Sequence, residues 1–431
     1  MYVLVLYWAV IGYVIINGCI GQNGPLPTSE MDALVSFYNS TNGEGWTNKW
    51  DIIWSNISQS DFCSFHGVEC ANNHVDELTM QFNGLVGTLP ASLSNLTKLR
   101  VLELIGENLY GTLPSEIGSL RNLQTLDLQN LNVTGTIPEE ILSGLPSLES
   151  LAIVQCPFLK GILSQQISSL QNLTRLTISE CNGISGTIPP QIATLALLHT
   201  LQLSSCNFTG SLPSELGGLQ NLQVLDISQN LLTGTIPSQF SNLSKLSQLS
   251  LGENELSGSI PSELVNLRNL NILQLNSNQL KGTIPTNFGT MLSLSVFDVG
   301  GNNLTGVIPW NLCKSLILFR VSQNQLTGTI PSDIFSICTR VEVFALEHNL
   351  FFGTLPWQLG NLTFLEVLSL GYNRFYGALP ETIGCVYSQK KKKLGILRHR
   401  DIAIHTYTQT NNNTITRHFV QINVYSFPIL R

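Results

Sequence analysis

One apolar pattern recurs along most of the chain. From Val75 onward the phrase L-x-x-L-x-L-x-x-N-x-L-x-G-x-I-P repeats, as in Leu222 to Pro237 (LQVLDISQNLLTGTIP). Its ninth place is held in turn by Asn83, Glu107, Leu131, Cys156, Cys181, Cys206, Asn230, Asn254, Asn278, Asn302, Asn324, Asn349 and Asn373. That gives 13 copies between Val75 and Gly384, at steps of 24 or 25 residues with one of 22. Places four and six are apolar in every copy, from Leu78 and Met80 to Leu368 and Leu370. Apolar residues two apart predict a short strand with one face buried. Stacked copies then form a parallel sheet, each strand about 4.8 Å from the next. A unit cannot bury its own apolar edge, so the array needs caps at both ends.

Polar positions complete the unit. An Asn side chain both donates and accepts, so a column of Asn can satisfy backbone groups in the loop after each strand. Gly followed by Pro three residues on, as at Gly234 and Pro237, punctuates the return. From Glu107 to Cys206 the column has no Asn, and the steps after Leu131 lengthen to 25 residues. Leu131 offers no hydrogen bond, so this stretch is expected to be locally irregular and a place where a partner docks.

With these residues in view, the sequence resembles the plant-type leucine-rich-repeat family. Its G-x-[IL]-P tail occurs in 12 of 13 copies, the exception being Gly161-Ile162-Leu163-Ser164. The resemblance implies an α/β leucine-rich-repeat solenoid, a horseshoe of 13 repeats with a parallel β-sheet on the concave face. Family members include receptor-like proteins, receptor-kinase ectodomains and polygalacturonase inhibitors, a range that leaves the ligand open.

Ahead of the repeats, Met31, Leu34, Val35 and Tyr38 fit an amphipathic helix with Ser29 at its N-cap. Trp46, Trp50 and Trp54 follow, then Cys63-Ser-Phe65-His-Gly67-Val68-Glu-Cys70. That run is similar to the family's amino-terminal cap, with Phe65 where Trp is usual, and the resemblance implies a Cys63–Cys70 disulfide. Cys156, Cys181 and Cys206 read as ladder substitutes. Cys313 and Cys338 stand in the column that holds Leu219, Leu243, Leu267 and Leu362 in other copies, and read as buried free thiols.

Composition sharpens the picture. Charged residues are 11% of the 431 and the net charge is −7, which disfavours a nucleic-acid partner. The body to Gly384 carries −14, while the last 47 residues carry +7 and include Lys390 to Lys393. Residues Tyr2 to Ile16 are apolar or small, as in a secretory leader, and no later run is long enough for a transmembrane span. The expected organisation is a signal peptide over 1–21, a cap over 22–74, repeats over 75–384, and a basic, disordered tail over 385–431.

No catalytic set, metal site or cofactor is expected. His399-Arg400-Asp401 spells a kinase triplet, but Thr406 stands where that motif needs Asn. Glu103 and Asp127 occupy place five of adjacent repeats at the spacing of a glycosidase pair, yet an open sheet gives no reason for a raised pKa. What remains is a surface. Its ligand-binding candidates are Glu103, Asp127, Thr177, Gln202, Asp226, Ser250, Gln274, Asp298 and Arg320 at place five, and Tyr372 at place eight. This polar, mildly acidic face suits a neutral or basic ligand: an extracellular protein, peptide or glycan, with a membrane co-receptor as a second partner. The alternatives are inhibition of a wall-degrading hydrolase, a structural or adhesive matrix role, and a receptor ectodomain without its membrane segment.

Ten N-x-[ST] sequons occur, at Asn39, Asn56, Asn95, Asn132, Asn172, Asn207, Asn242, Asn303, Asn361 and Asn412. Most of those before Gly384 are expected to carry glycans in a secreted eukaryotic chain, flanking the concave face without covering it.

Overall fold

The structure is a computed structural model that describes residues 26–50, 52, 62–378, 380–382, 402–409 and 417–424. The leader, Trp54, Asn56, the HRD triplet, Lys390 to Lys393 and Asn412 lie outside the described residues.

A fourteen-stranded sheet runs the length of the repeats. Its first strand, Val68–Ala71, pairs antiparallel with His74–Gln81. Every later strand is parallel and in register, so place four stacks on place four and place five on place five. Leu102, Leu126, Leu151, Leu176 and Leu201 are fully buried at place four. They form one continuous core with Leu104, Leu128, Ile153, Ile178 and Leu203 at place six.

The seven asparagines from Asn230 to Asn373 are buried and act alike. Asn254 is representative. Its Nδ2 donates to Ile227 O at 2.9 Å and Leu251 O at 3.2 Å, and its Oδ1 accepts from Leu232 N at 3.0 Å. Each Asn thus ties its own turn to the repeat before it.

The expected irregularity between Glu107 and Cys206 does not interrupt the long sheet, but an α-helix, Glu139–Gly144, stands there where the other repeats have a 3-10 turn. The strands there are the longest parallel ones after the first, with five residues each at Val101–Ile105, Thr125–Gln129, Ser150–Val154 and Arg175–Ser179, against three at Val224–Asp226. The backbone bonds between turns are the same with or without Asn: Asn130 N donates to Val154 O at 2.8 Å, as Gln229 N does to Gly252 O at 2.9 Å. Glu107 keeps the acceptor role, its carboxylate taking Asn83 N and Leu85 N at 2.7 Å each. The cysteines keep a weak donor role, as in Cys206 Sγ to Ile178 O at 3.7 Å.

A second set of short strands follows most turns, including Lys160–Ile162, Gly183–Thr187, Asn207–Ser211 and Leu231–Thr233. Their glycines have positive φ, and the next residue out is usually Thr or Ser. A Cβ on Gly258 (φ +75°) would lie 2.8 Å from Thr235 Cγ2, so only glycine lets successive repeats close to this distance.

The amino-terminal helix spans Thr28–Ser40, with Pro27 rather than Ser29 at its N-cap. It buries Ala33, Leu34, Phe37 and Tyr38 against Trp46 and Trp50, and Phe65 stacks on Trp50 at 5.3 Å. Glu30, 1% exposed, joins the cap to the first repeat by accepting from Val75 N at 2.8 Å and contacting His74 Nδ1 at 2.6 Å. Cys63 and Cys70 are disulfide-bonded with Cα atoms 5.5 Å apart.

Two further expectations need correction. Cys313 and Cys338 form a disulfide, their Cα atoms 5.1 Å apart, so they are not free thiols. The cause is the repeat itself, which sets one column's residues in adjacent copies at disulfide distance. Within the tail, Ile402–Gln409 and Arg417–Val424 pair as an antiparallel hairpin rather than lacking structure.

Candidate functional site

Nine of the ten predicted surface residues do share one column. Register pairs Glu103 with Asp127, Thr177 with Gln202, Gln202 with Asp226, Asp226 with Ser250, and so on to Asp298 with Arg320. Polar contacts cross the strands: Ser250 Oγ donates to Gln274 Oε1 at 3.0 Å, and Arg320 Nη1 donates to Asp298 Oδ2 at 3.0 Å. Tyr372 sits apart at the edge of the sheet, its ring stacked on His348 at 4.0 Å.

The column is less open than its sequence position predicts. Ser250 and Asp298 are each 3% exposed, and the other candidates at place five are half-buried. Burial changes the electrostatics. It holds the Glu103 carboxyl above the usual carboxylate range, and the Asp127 charge adds to the rise. Asp127 is raised by burial as well, against a hydrogen bond from Gln129, and its Oδ1 is buried with no donor. Asp226 and Asp298 are likewise pushed up by burial, partly offset by Ser228 and Arg320 respectively. The expectation that nothing here raises a pKa is therefore wrong. It treated the sheet as flat and fully wetted.

A feature the sequence reading missed lies one place before the Asn column. Phe82, Asn130, Gln155, Glu180, Ser205, Gln229, Glu253, Ser277, Gln323, His348 and Tyr372 all have φ between 49° and 57°, and Gly106 and Gly301 share the left-handed region. Every turn is made this way, whatever side chain it carries, so composition gave no signal. The consequence is that these side chains line one rim of the long sheet.

The thiols of Cys156, Cys181 and Cys206 are buried in the ladder. A hydrogen bond with Cys181, then burial, holds Cys156 protonated, and burial pushes Cys206 up to about 12. Cys156 and Cys206 are therefore poor nucleophiles, whereas the hydrogen bond with Cys156 holds the Cys181 thiol below its usual range against the effect of burial. The sequons within the described residues, Asn39, Asn95, Asn132, Asn172, Asn207, Asn242, Asn303 and Asn361, are all exposed.

Comparison with known proteins fits this architecture. A leucine-rich repeat region profile matches residues 147–320, and a leucine-rich repeat profile matches 122–143. The chain is a leucine-rich-repeat protein. Among solved structures, this leucine-rich-repeat protein is similar to PEPR1 in complex with AtPEP1, at 30% identity and a TM-score of 0.74, over 83% of this chain and 50% of that one. It is similar to the ectodomain of the Arabidopsis receptor kinase HAESA bound to an extended IDA peptide hormone, at 31% identity and 0.72, over 83% of this chain and 59% of that one. A plant ice-binding protein matches at 25% identity and 0.55, over 76% of this chain and 95% of that one. The chain thus spans between half and three fifths of the two receptor chains' length. Among the described residues no helix is long and apolar enough to cross a membrane.

Proposed function

We propose that this protein recognises an extracellular peptide or protein segment on the concave face of its long sheet, and that it acts by binding rather than by chemistry. The observation that carries the reading is the similarity, over most of this chain, to receptor ectodomains solved with peptide ligands. Two features of the chain support it. Nine of the candidate residues form one in-register polar column, and the exposed sequons lie outside the strands of the long sheet. A leader over residues 1–21 and glycans at those sequons belong to the same proposal, as does a membrane co-receptor as second partner.

The test is interactor capture with the glycosylated protein, followed by titration of whatever is captured. Recognition predicts saturable binding that Gln202→Arg with Gln274→Arg weakens by about tenfold or more. Binding that never saturates, or that ignores both substitutions, would favour a matrix role.

A second reading has one structural feature behind it. The ice-binding relative is matched over nearly its whole length, and the second set of strands displays a ladder of Thr and Ser whose side chains pack on the glycines of the next repeat. Ice binding predicts suppressed recrystallisation by the deglycosylated protein, lost on Thr235→Leu with Thr283→Leu. Crystals that grow as in buffer would dismiss it.

A further inference from the structure

Place three of the repeat divides the concave face into two unlike halves. Up to Gln248 it is largely polar, including Glu77, Ser150 and Arg175. In the last five copies it becomes Ile272, Val296, Leu318, Val343 and Val367, paired in register and each half-buried. Four steps of about 4.8 Å make this an apolar rail of about 19 Å.

Beside the rail the surface is low and then rises again. In the rail's five copies place five holds Gln274, Asp298, Arg320, Ala345 and Ser369, of which Asp298 and Ala345 are each only 3% exposed and the others half-buried, forming a low floor. Across it stand Glu347, His348 and Tyr372 at places seven and eight. Tyr372 is 50% exposed and stacked on His348, while Glu347 Oε2 is buried with no donor. Arg320 is already engaged by Asp298 at 3.0 Å. One wall is therefore apolar through all five copies, while the other turns acidic and aromatic in the last two, about 13 Å away along a strand.

We infer that this trough holds an extended cationic peptide whose side chains are apolar on one side and basic on the other. Successive side chains of an extended chain point opposite ways, so one set meets the rail while the other reaches Glu347 and Tyr372. A guanidinium there gains a carboxylate and a ring face together. An acidic ligand meets Glu347 with like charge, and the −14 carried by the body to Gly384 repels it at longer range. The inference rests on the peptide-recognition reading and specifies which half of the face is used and by what chemistry.

The experiment is selection of a displayed random peptide library on the glycosylated protein. The expected consensus alternates apolar residues with Arg or Lys. Its binding falls about tenfold or more on Val343→Lys, and Glu347→Gln weakens only the basic peptides by about tenfold. Val343→Thr, close to the native shape, keeps the test valid should the lysine variant misfold. An acidic consensus, or one indifferent to Val343 and Glu347, overturns the trough. Peptides that instead lose binding on Glu103→Gln with Asp127→Asn leave peptide recognition standing and remove the trough. No enrichment over background removes both.

Discussion

At the scale of single residues, the protein is held by repeated hydrogen-bond chemistry. Asn254 satisfies Ile227 O, Leu251 O and Leu232 N from one buried side chain. Asn254→Leu leaves all three without their partner, and a loss of roughly 3 kcal/mol is expected in chemical denaturation. Asn254→Cys should cost less, since Cys206 shows that a thiol can still reach a carbonyl, at 3.7 Å. The Asn column was legible because its residue type is tied to its task. The left-handed place before it was not, because Gln, Ser, Phe and His all occupy it and the geometry comes from the turn. Its strain can still be measured. Gln229 has φ 57°, so Gln229→Val should destabilise by about 1–2 kcal/mol while Gln229→Gly is close to neutral.

At the scale of elements, adjacency between copies decides what sequence spacing leaves ambiguous. Cys313 and Cys338 look like two leucine substitutes until they are seen as neighbours in one column, and the closed loop spans 25 residues. Cys313→Ser with Cys338→Ser is expected to cost about 3 kcal/mol by loop entropy, read from denaturation midpoints. Non-reducing peptide mapping should find that bridge intact, with Cys156, Cys181 and Cys206 alkylated only after unfolding. The same adjacency explains the sheet carboxyls, where strands brought together half-bury groups that a linear reading leaves in water. Glu103, Asp127, Asp226, Asp298 and Glu347 all have folded pKa values raised chiefly by burial. The native state then holds more protons than the unfolded one between the ordinary carboxylate range and these higher values, so stability should rise as pH falls through that window. Melting temperature should increase from neutral into mildly acid pH, and Asp127→Asn with Asp226→Asn should flatten the rise.

At the scale of the whole molecule, the array behaves as a stack in which each repeat touches only its neighbours, so length and register are separable properties. Leu246 and Leu270 occupy the same place in successive copies, 24 residues apart. Deleting Leu246–Asn269 therefore joins Lys245 to Leu270 with every column preserved, and Leu225 then faces Leu273 as it now faces Leu249. That shortened chain should fold, with unchanged circular dichroism per residue and a modestly lower melting temperature. Deleting only Leu246–Ser257 is the contrasting case. It brings the second-sheet residue Gly258 to a place where a core leucine is needed, so soluble folded protein should not be recovered. A shorter but folded array also probes the trough, because the deleted copy lies just before the rail and Ile272 to Val367 keep their spacing. A peptide held by the rail should lose only part of its affinity on the 24-residue deletion, whereas a ligand spanning the whole column should lose nearly all of it.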